Sequence, residues 1–148
     1  MSQVESTFLE TKPGLTRAGA SLVPDAERME FLPQFFGLRH MLKGEFLVYD
    51  WMGSLCQDYL GGLWNFYIVK NGGFYLAPSG DKRWWVRCSG NGFEGEMTSD
   101  AAGIVATLFT LSQLSLETEL DRFSNLFHSL RSFAIRHVEA SAILAAID

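Results

Sequence analysis

Three acidic residues lie close together in the sequence, at Glu94, Glu96 and Asp100. If Glu94 and Glu96 belong to one β-strand, the alternation of side chains places both on the same face. Carboxylates held side by side can transfer protons or hold a divalent cation, so they form a candidate catalytic group. A strand face that is simply in contact with water has the same spacing. We favour that interpretation and keep the catalytic one as an alternative.

The histidines and cysteines show no motif that indicates a metal site or a nucleophile. His40, His128 and His137 never occur at the i, i+4 spacing that places two imidazoles on one helix face. We interpret them as ordinary surface or helix-end residues. A nucleophilic Cys56 would need a nearby base and a stabilised thiolate, but it lies on an apolar helical stripe, so burial is favoured. Cys56 and Cys88 are expected to be reduced thiols.

Two glycine-rich segments are predicted to be tight turns. Asn71, Gly72 and Gly73 form one, and residues 90–92, with Asn91 in the middle, form the other. Neither segment matches a phosphate-binding loop, and no lysine follows at the required place. No cofactor and no metal are therefore predicted.

Trp84 and Trp85 are adjacent in a predicted strand. Because neighbouring strand residues point to opposite faces, one indole is expected outside the main core. It could be a binding anchor, or it could pack beneath the N-terminal arm.

The elements that position these residues predict an α+β fold. We expect a small antiparallel sheet of three to four meandering strands at about residues 63–97, packed against four or so helices. The predicted strands are residues 63–69, 74–77, 83–88 and 92–97. The predicted helices are 25–31 (ended by Pro33), 40–56, a helix capped by Ser99 that runs to about residue 113, 119–136 and 138–147. In helix 40–56 the predicted apolar stripe comprises Leu42, Phe46, Tyr49, Met52 and Cys56.

Length and composition predict one domain, residues 25–148, preceded by a flexible arm of residues 1–24 in which Phe8 and Leu9 could dock. The N-terminus has no basic start followed by an apolar core, so a cytoplasmic protein without an export signal is expected. The uncharged apolar run at residues 101–111 is too short to span a membrane.

The charge balance argues against two classes of function. The net charge of −5 disfavours strong binding to nucleic acid. A domain of this length is about 38 Å across, and duplex DNA of that length carries about 22 negative charges. The chain has 17 acidic residues interspersed with 12 basic ones, too few and too well balanced for an imitation of DNA.

Several long segments resemble one known family. Four segments are similar to blocks of the ArdB/KlcA antirestriction proteins. They are RMEFLPQFFGLRHMLKGEFLVYDWMGSLCQDY, GGLWNFYIVKNGGFYLAPSG, GNGFEGEMTSDAAGIVATLFTLSQLS and RHVEASAILAAID. The resemblance covers about residues 28–148. It implies an α+β protein of plasmids and other mobile genetic elements that protects incoming DNA from type I restriction-modification enzymes without mimicking DNA. It implies no catalytic residues.

The leading hypothesis is therefore a non-enzymatic inhibitor of type I restriction endonucleases. Its partner would be the restriction-modification enzyme or an associated host protein. Loops on a rigid scaffold are the expected contact surface. The candidate contact residues are Asn71, Gly72, Gly73, Asn91, Phe93, Glu94, Glu96, Asp100 and Asp148. The alternatives are a metal- or carboxylate-dependent enzyme acting on nucleic acid and a weak nucleic-acid-binding module that uses exposed aromatic side chains.

Overall fold

The computed structural model describes residues 19–148, and the predicted docking of Phe8 and Leu9 lies outside the described residues. Residues 19–148 form five strands and five α-helices. The strands are β1 (Ala20–Leu22), β2 (Trp64–Val69), β3 (Phe74–Pro78), β4 (Arg83–Cys88) and β5 (Phe93–Thr98). The helices are α1 (Arg28–Phe36), α2 (Met41–Leu55), α3 (Ser99–Thr118), α4 (Asp121–Ile135) and α5 (Ala140–Ile147). The predicted α+β class is confirmed.

The strands form two antiparallel sheets rather than one continuous meander. One sheet has the order β1-β2-β3, and the other is the β4–β5 hairpin. β1 falls within the predicted N-terminal arm, so residues 20–22 of that arm are part of the fold. It pairs with β2, with Ala20 opposite Val69. The predicted meander breaks after β3 because α3 covers the outer edge of that strand.

Helix α3 is the centre of the molecule. Residues 101–108 are buried around the whole circumference of the helix, as expected for a helix enclosed by other elements. Its backbone packs directly on β3: a Cβ atom added at Gly103 would lie 2.3 Å from the carbonyl oxygen of Leu76. The hydroxyl of Thr107 accepts a hydrogen bond from the Leu76 N–H at 3.2 Å, which satisfies an edge-strand donor. None of the helices within residues 19–148 is long and apolar enough to cross a bilayer.

Helix α1 continues through Pro33, whereas the sequence predicted that Pro33 would end it. Because proline has no backbone N–H, the carbonyl of Met29 loses its helical hydrogen bond. Met29 is exposed to solvent. The helix gains an aromatic core in return. The ring of Phe31 stacks on Phe66 at 4.6 Å and that of Phe35 on Phe74 at 4.6 Å.

Helix α2 has the predicted position, but its buried face matches the predicted stripe only in part. Met52 and Cys56 are buried as predicted, whereas Leu42 and Phe46 are 73% and 62% exposed. The buried positions of this helix are Gly44, Leu47, Val48, Met52 and Leu55. Gly44 decides the orientation, because a Cβ atom there would lie 2.4 Å from the ring of Phe36. Gly44 is therefore the point where α2 crosses α1.

The ends of α3 also differ from the prediction. Thr98, not Ser99, is the N-cap, and its hydroxyl accepts a hydrogen bond from the Ala101 N–H at 3.2 Å. Ser99 instead accepts a hydrogen bond from the indole N–H of Trp84 at 2.8 Å. The helix runs to Thr118 and ends at Glu119, whose φ of 59° is left-handed.

Candidate functional site

The first predicted contact turn is fastened to helix α4. The side-chain N–H of Asn71 donates a hydrogen bond to the carbonyl of Ser129 at 2.8 Å. The side-chain oxygen of Asn71 accepts one from the Gly73 N–H at 3.0 Å. Gly72 has a φ of 96°, which a side chain would disfavour. Asn71 and Gly72 are exposed and Gly73 is buried, so this turn shows a rigid, largely backbone surface.

The second turn is fastened in the same way, but to helix α5. The side-chain N–H of Asn91 donates to the carbonyl of Ala146 at 2.9 Å. The side-chain oxygen of Asn91 accepts a hydrogen bond from the Phe93 N–H at 2.9 Å. Asn91 is therefore bonded to the last turn of α5, which ends beside the exposed Asp148. Oδ1 of Asp148 lies 4.0 Å from Nη2 of Arg131.

Glu94 and Glu96 share one face of the β4–β5 hairpin, as predicted, and arginines face them across the strands. Arg87 Nε lies 3.4 Å from Glu94 Oε2, and Arg83 Nε lies 3.0 Å from Glu96 Oε1. Trp85 lies on the same face, opposite Glu96 in the register. We call this exposed surface of Arg83, Trp85, Arg87, Glu94 and Glu96 the hairpin face. Its charges balance, and its two carboxylates are engaged by guanidinium groups.

A cleft of about 450 Å³ lies beside the hairpin face. Residues 53–55 and 57, at the end of α2, form one wall, and residues 87–89 and 92–94 of the hairpin form the other. Phe93 and Glu94 of the predicted site therefore share a cleft with Arg87 and the half-buried Cys88. Such a mixture of apolar and charged groups can hold a protein side chain or loop.

Asp100 does not join the other two acids; it is part of a nearly buried polar network. Its Oδ1 accepts a hydrogen bond from the hydroxyl of Tyr75 at 2.7 Å, and its Oδ2 lies 2.8 Å from Nε2 of His137. The Glu139 N–H donates to Nδ1 of His137 at 2.9 Å, so Nε2 carries the proton and donates to Asp100. His137 is buried and ties the end of α4 to α3 and β3, which corrects its interpretation as an ordinary helix-end residue.

The cysteines have no catalytic arrangement. Both are free thiols, and Cys56 is buried with its Sγ 4.0 Å from the sulfur of Met52. Burial, with a smaller contribution from the charge of Asp58, raises the pKa of Cys56 to about 12. A nucleophilic thiol needs the opposite shift. Among residues 19–148, no three His, Cys, Asp or Glu side chains come together as metal ligands do.

The structure thus divides the nine predicted contact residues into three places. Asn91, Phe93, Glu94, Glu96 and Asp148 belong to the hairpin and the adjacent end of α5, and residues 71–73 lie against α4. Asp100 is an internal residue. The sequence interpretation missed the two arginines of the hairpin face. A signal was present, because the alternation in RWWVRC and FEGEMT places basic and acidic side chains on one face once the strands pair.

Comparison with known proteins assigns this arrangement of helices and sheets to a class. Residues 57–148 match the family model for antirestriction proteins. The chain belongs to the antirestriction protein family.

Two relatives and one solved structure define the membership more closely. The chain is 50% identical to the antirestriction protein KlcA of Escherichia coli over 135 residues, which cover 87% of this chain and 92% of KlcA. It is 38% identical over 129 residues to YfjX of Escherichia coli K12, with 85% of each chain covered. A solved structure from work on KlcA and ArdB, 50% identical, matches with a TM-score of 0.82 over 87% of this chain and 94% of its own. Those two proteins are described as having a novel fold and antirestriction activity against type I DNA restriction systems in vivo but not in vitro.

Proposed function

We propose that this protein, carried by a mobile genetic element, protects incoming unmodified DNA from type I restriction-modification enzymes inside the cell. The observation that supports this most strongly is the combined match to KlcA, at 50% identity over 87% of the chain and with the same fold. The TM-score of 0.82 over 87% of this chain supports a shared fold. The activity described for KlcA and ArdB against type I systems is therefore the best guide to this chain.

The mode of action that we propose is contact with a protein, without catalysis and without imitation of DNA. The exposed carboxylates support this, because several are matched by nearby cations: Lys43 with Glu117, Lys82 with Asp58, Arg83 with Glu96 and Arg87 with Glu94. A DNA mimic needs a continuous row of negative charges at the spacing of phosphates. The alternation on the hairpin face is the opposite pattern.

The partner that we propose is the type I enzyme itself or a host protein associated with it. Activity of KlcA and ArdB in vivo but not in vitro favours a component or state present in the cell. The proposed contact surface combines the turn at Asn71, Gly72 and Gly73 with the hairpin residues Asn91, Phe93, Glu94 and Glu96 and with Asp148. Asp100 is kept as a positioning residue for this surface.

The test is the survival of unmodified plasmid DNA in cells that carry a type I restriction system. We expect expression of this protein to raise transformation towards the level of an isogenic strain without restriction. The same plasmid introduced into cells with an unrelated type II enzyme is the control, and no protection is expected there. Equal survival with and without the protein in the type I strain would refute the proposal.

A further inference from the structure

Trp85 is the one residue of the hairpin face that combines a large apolar side chain with exposure, at 51%. Its neighbour Trp84 is buried and hydrogen-bonded to Ser99. Trp85 lies opposite Glu96 and two residues from both Arg83 and Arg87. An exposed tryptophan surrounded by charged residues has the composition of an energetic hot spot at a protein interface.

A small recess opens beside this indole. It has a volume of about 200 Å³ and is lined by Gln57, Asp58 and Trp85. That is below the roughly 300–1,000 Å³ of small-molecule sites, so the recess suits a single side chain. Gln57 also lines the larger cleft of about 450 Å³, so the two concavities adjoin. Together they give the surface an anchor and a neighbouring groove.

The chemistry of the recess selects a cation. The indole of tryptophan is the best aromatic partner for a cation, and arginine is the cation most often found there. Asp58 supplies a carboxylate, and its hydrogen bond to Lys82 holds the pKa of that carboxyl below its usual value, so it is ionised at neutral pH. A guanidinium group can meet carboxylate oxygens and stack on the ring at the same time, which an ammonium group does less well.

The chain already fills a neighbouring site in this way. The ammonium group of Lys82 lies 2.8 Å from Oδ2 of Asp58 and 4.6 Å from the ring centre of Trp84. Asp58 therefore lines the recess of Trp85, while the lysine paired with its carboxylate lies over the buried indole of Trp84. Within residues 19–148, no cation lies over the exposed indole of Trp85.

We propose that the Trp85 recess is a docking site for an arginine side chain of the partner protein, with the indole stacking on the guanidinium and Asp58 accepting its hydrogen bonds. This assignment deepens the proposed function and rests on it for the identity of the partner. A protein is favoured over nucleic acid because the recess itself carries the carboxylate of Asp58. The arginines of the neighbouring hairpin face are paired with Glu94 and Glu96, so that face has no excess of positive charge to bind phosphates.

The first experiment probes the recess without the partner. The full-length protein labelled with 15N at tryptophan is titrated with acetyl-arginine amide and, as a control of the same shape without charge, acetyl-citrulline amide. We expect the indole N–H resonance of Trp85 to shift with arginine and much less with citrulline. Asp58→Asn should abolish the shift. Lys82→Gln should increase the affinity for acetyl-arginine amide, because Lys82 competes for the carboxylate of Asp58. No shift, or equal shifts with both probes, would overturn the proposal.

Other occupants give different results in the same protein. A larger shift with a short single-stranded oligonucleotide than with the arginine probe would indicate a nucleic-acid surface. A Trp85 shift that depends on protein concentration alone would indicate a second copy of the chain. Protection of Trp85 from hydroxyl radicals in the full chain with no probe present would indicate that a segment of the chain itself covers it. Each result would overturn the assignment to a partner arginine.

The second experiment measures plasmid survival in type I restricting cells. Trp85→Ala and Asp58→Asn should reduce protection by about tenfold or more, the effect expected of a hot-spot residue. Leu116→Ala is the matched control, because Leu116 is an exposed residue of α3 (79%) far from the recess. It lies near the start of α2, whereas Gln57 and Asp58 follow the end of that helix. If the wild-type protein protects and both recess variants protect equally well, the recess proposal fails and the proposed function stands. If the wild-type protein does not protect, the proposed function fails, and the arginine titration alone decides the recess.

Discussion

At the scale of single residues, Asp100 is best understood as a structural centre. It accepts hydrogen bonds from Tyr75 on β3 and from His137 at the end of α4. Both partners are buried, so neither can replace this carboxylate with water. Its effect on function would therefore pass through the positions of α3, α4 and α5.

Replacement of Asp100 by alanine is expected to lower the free energy of unfolding by about 2–4 kcal/mol, because two buried polar groups lose their shared acceptor. Urea denaturation checks this. Glu96→Gln is the control, since it removes a carboxylate from a half-exposed ion pair, and a change within about 0.5 kcal/mol is expected. Similar losses for the two variants would contradict a structural role specific to Asp100.

The buried thiol of Cys56 makes a second prediction at this scale. Its pKa is about 12 in the folded protein, mainly because of burial, whereas an unfolded thiol ionises at about 8.5. The contribution of the protonated thiol to the free energy of unfolding is complete below the pKa of the unfolded chain. It is lost as the pH rises towards the pKa of the folded protein. We therefore expect the free energy of unfolding to fall between pH 8 and pH 11, with a shallower fall in Cys56→Ala. Burial raises the pKa of Tyr49 as well, so some slope should remain. Identical slopes in the two proteins would contradict this account of Cys56.

At the scale of elements, the contact between α3 and β3 holds the molecule together. Gly103 lets the two backbones meet, and the Thr107 hydroxyl closes the edge of β3. β3 can therefore be the edge strand of its sheet without exposing unpaired backbone groups to solvent. The β4–β5 hairpin forms a separate sheet.

Gly103→Ala is expected to destabilise the protein by about 3 kcal/mol, because the new methyl group would overlap the backbone of Leu76 and Ala77 in a site that cannot expand easily. Thermal unfolding followed by circular dichroism measures the effect. Gly90→Ala is the matched control: its Cβ would meet nothing within 4 Å, and little change is expected. A Gly103→Ala protein as stable as Gly90→Ala would show that the helix does not pack against the strand as described.

The two asparagine turns are the other feature at this scale. Asn71 and Asn91 each accept a hydrogen bond from the residue two positions on and donate to a helix carbonyl far along the chain. The first bond could be predicted from the sequence, because asparagine commonly bonds its own turn. The second could not, because it depends on which helix the fold brings beneath the turn.

At the scale of the whole molecule, local patterns predicted the α+β class and the positions of most elements. Tertiary packing decided what they missed. Pro33 is retained in α1 because phenylalanine burial outweighs one lost hydrogen bond, and the buried face of α2 is set by a glycine contact rather than by its apolar stripe. For the candidate site, alternation placed Glu94 and Glu96 together. The arginine partners of these carboxylates depend on the register of the β4–β5 hairpin. The separate position of Asp100 depends on its tertiary contacts with Tyr75 and His137.

The most direct test of the central claim, that the hairpin face contacts a protein in restricting cells, is photo-crosslinking in living cells. A photoreactive phenylalanine analogue replaces Glu94 on the hairpin. In the control it replaces Leu116 near the end of α3, away from the hairpin. We predict a crosslink from position 94 to a subunit of the type I enzyme or to a host protein bound to it, and none to that protein from position 116. A crosslink from position 94 to DNA, or the same protein adduct from both positions, would contradict the account.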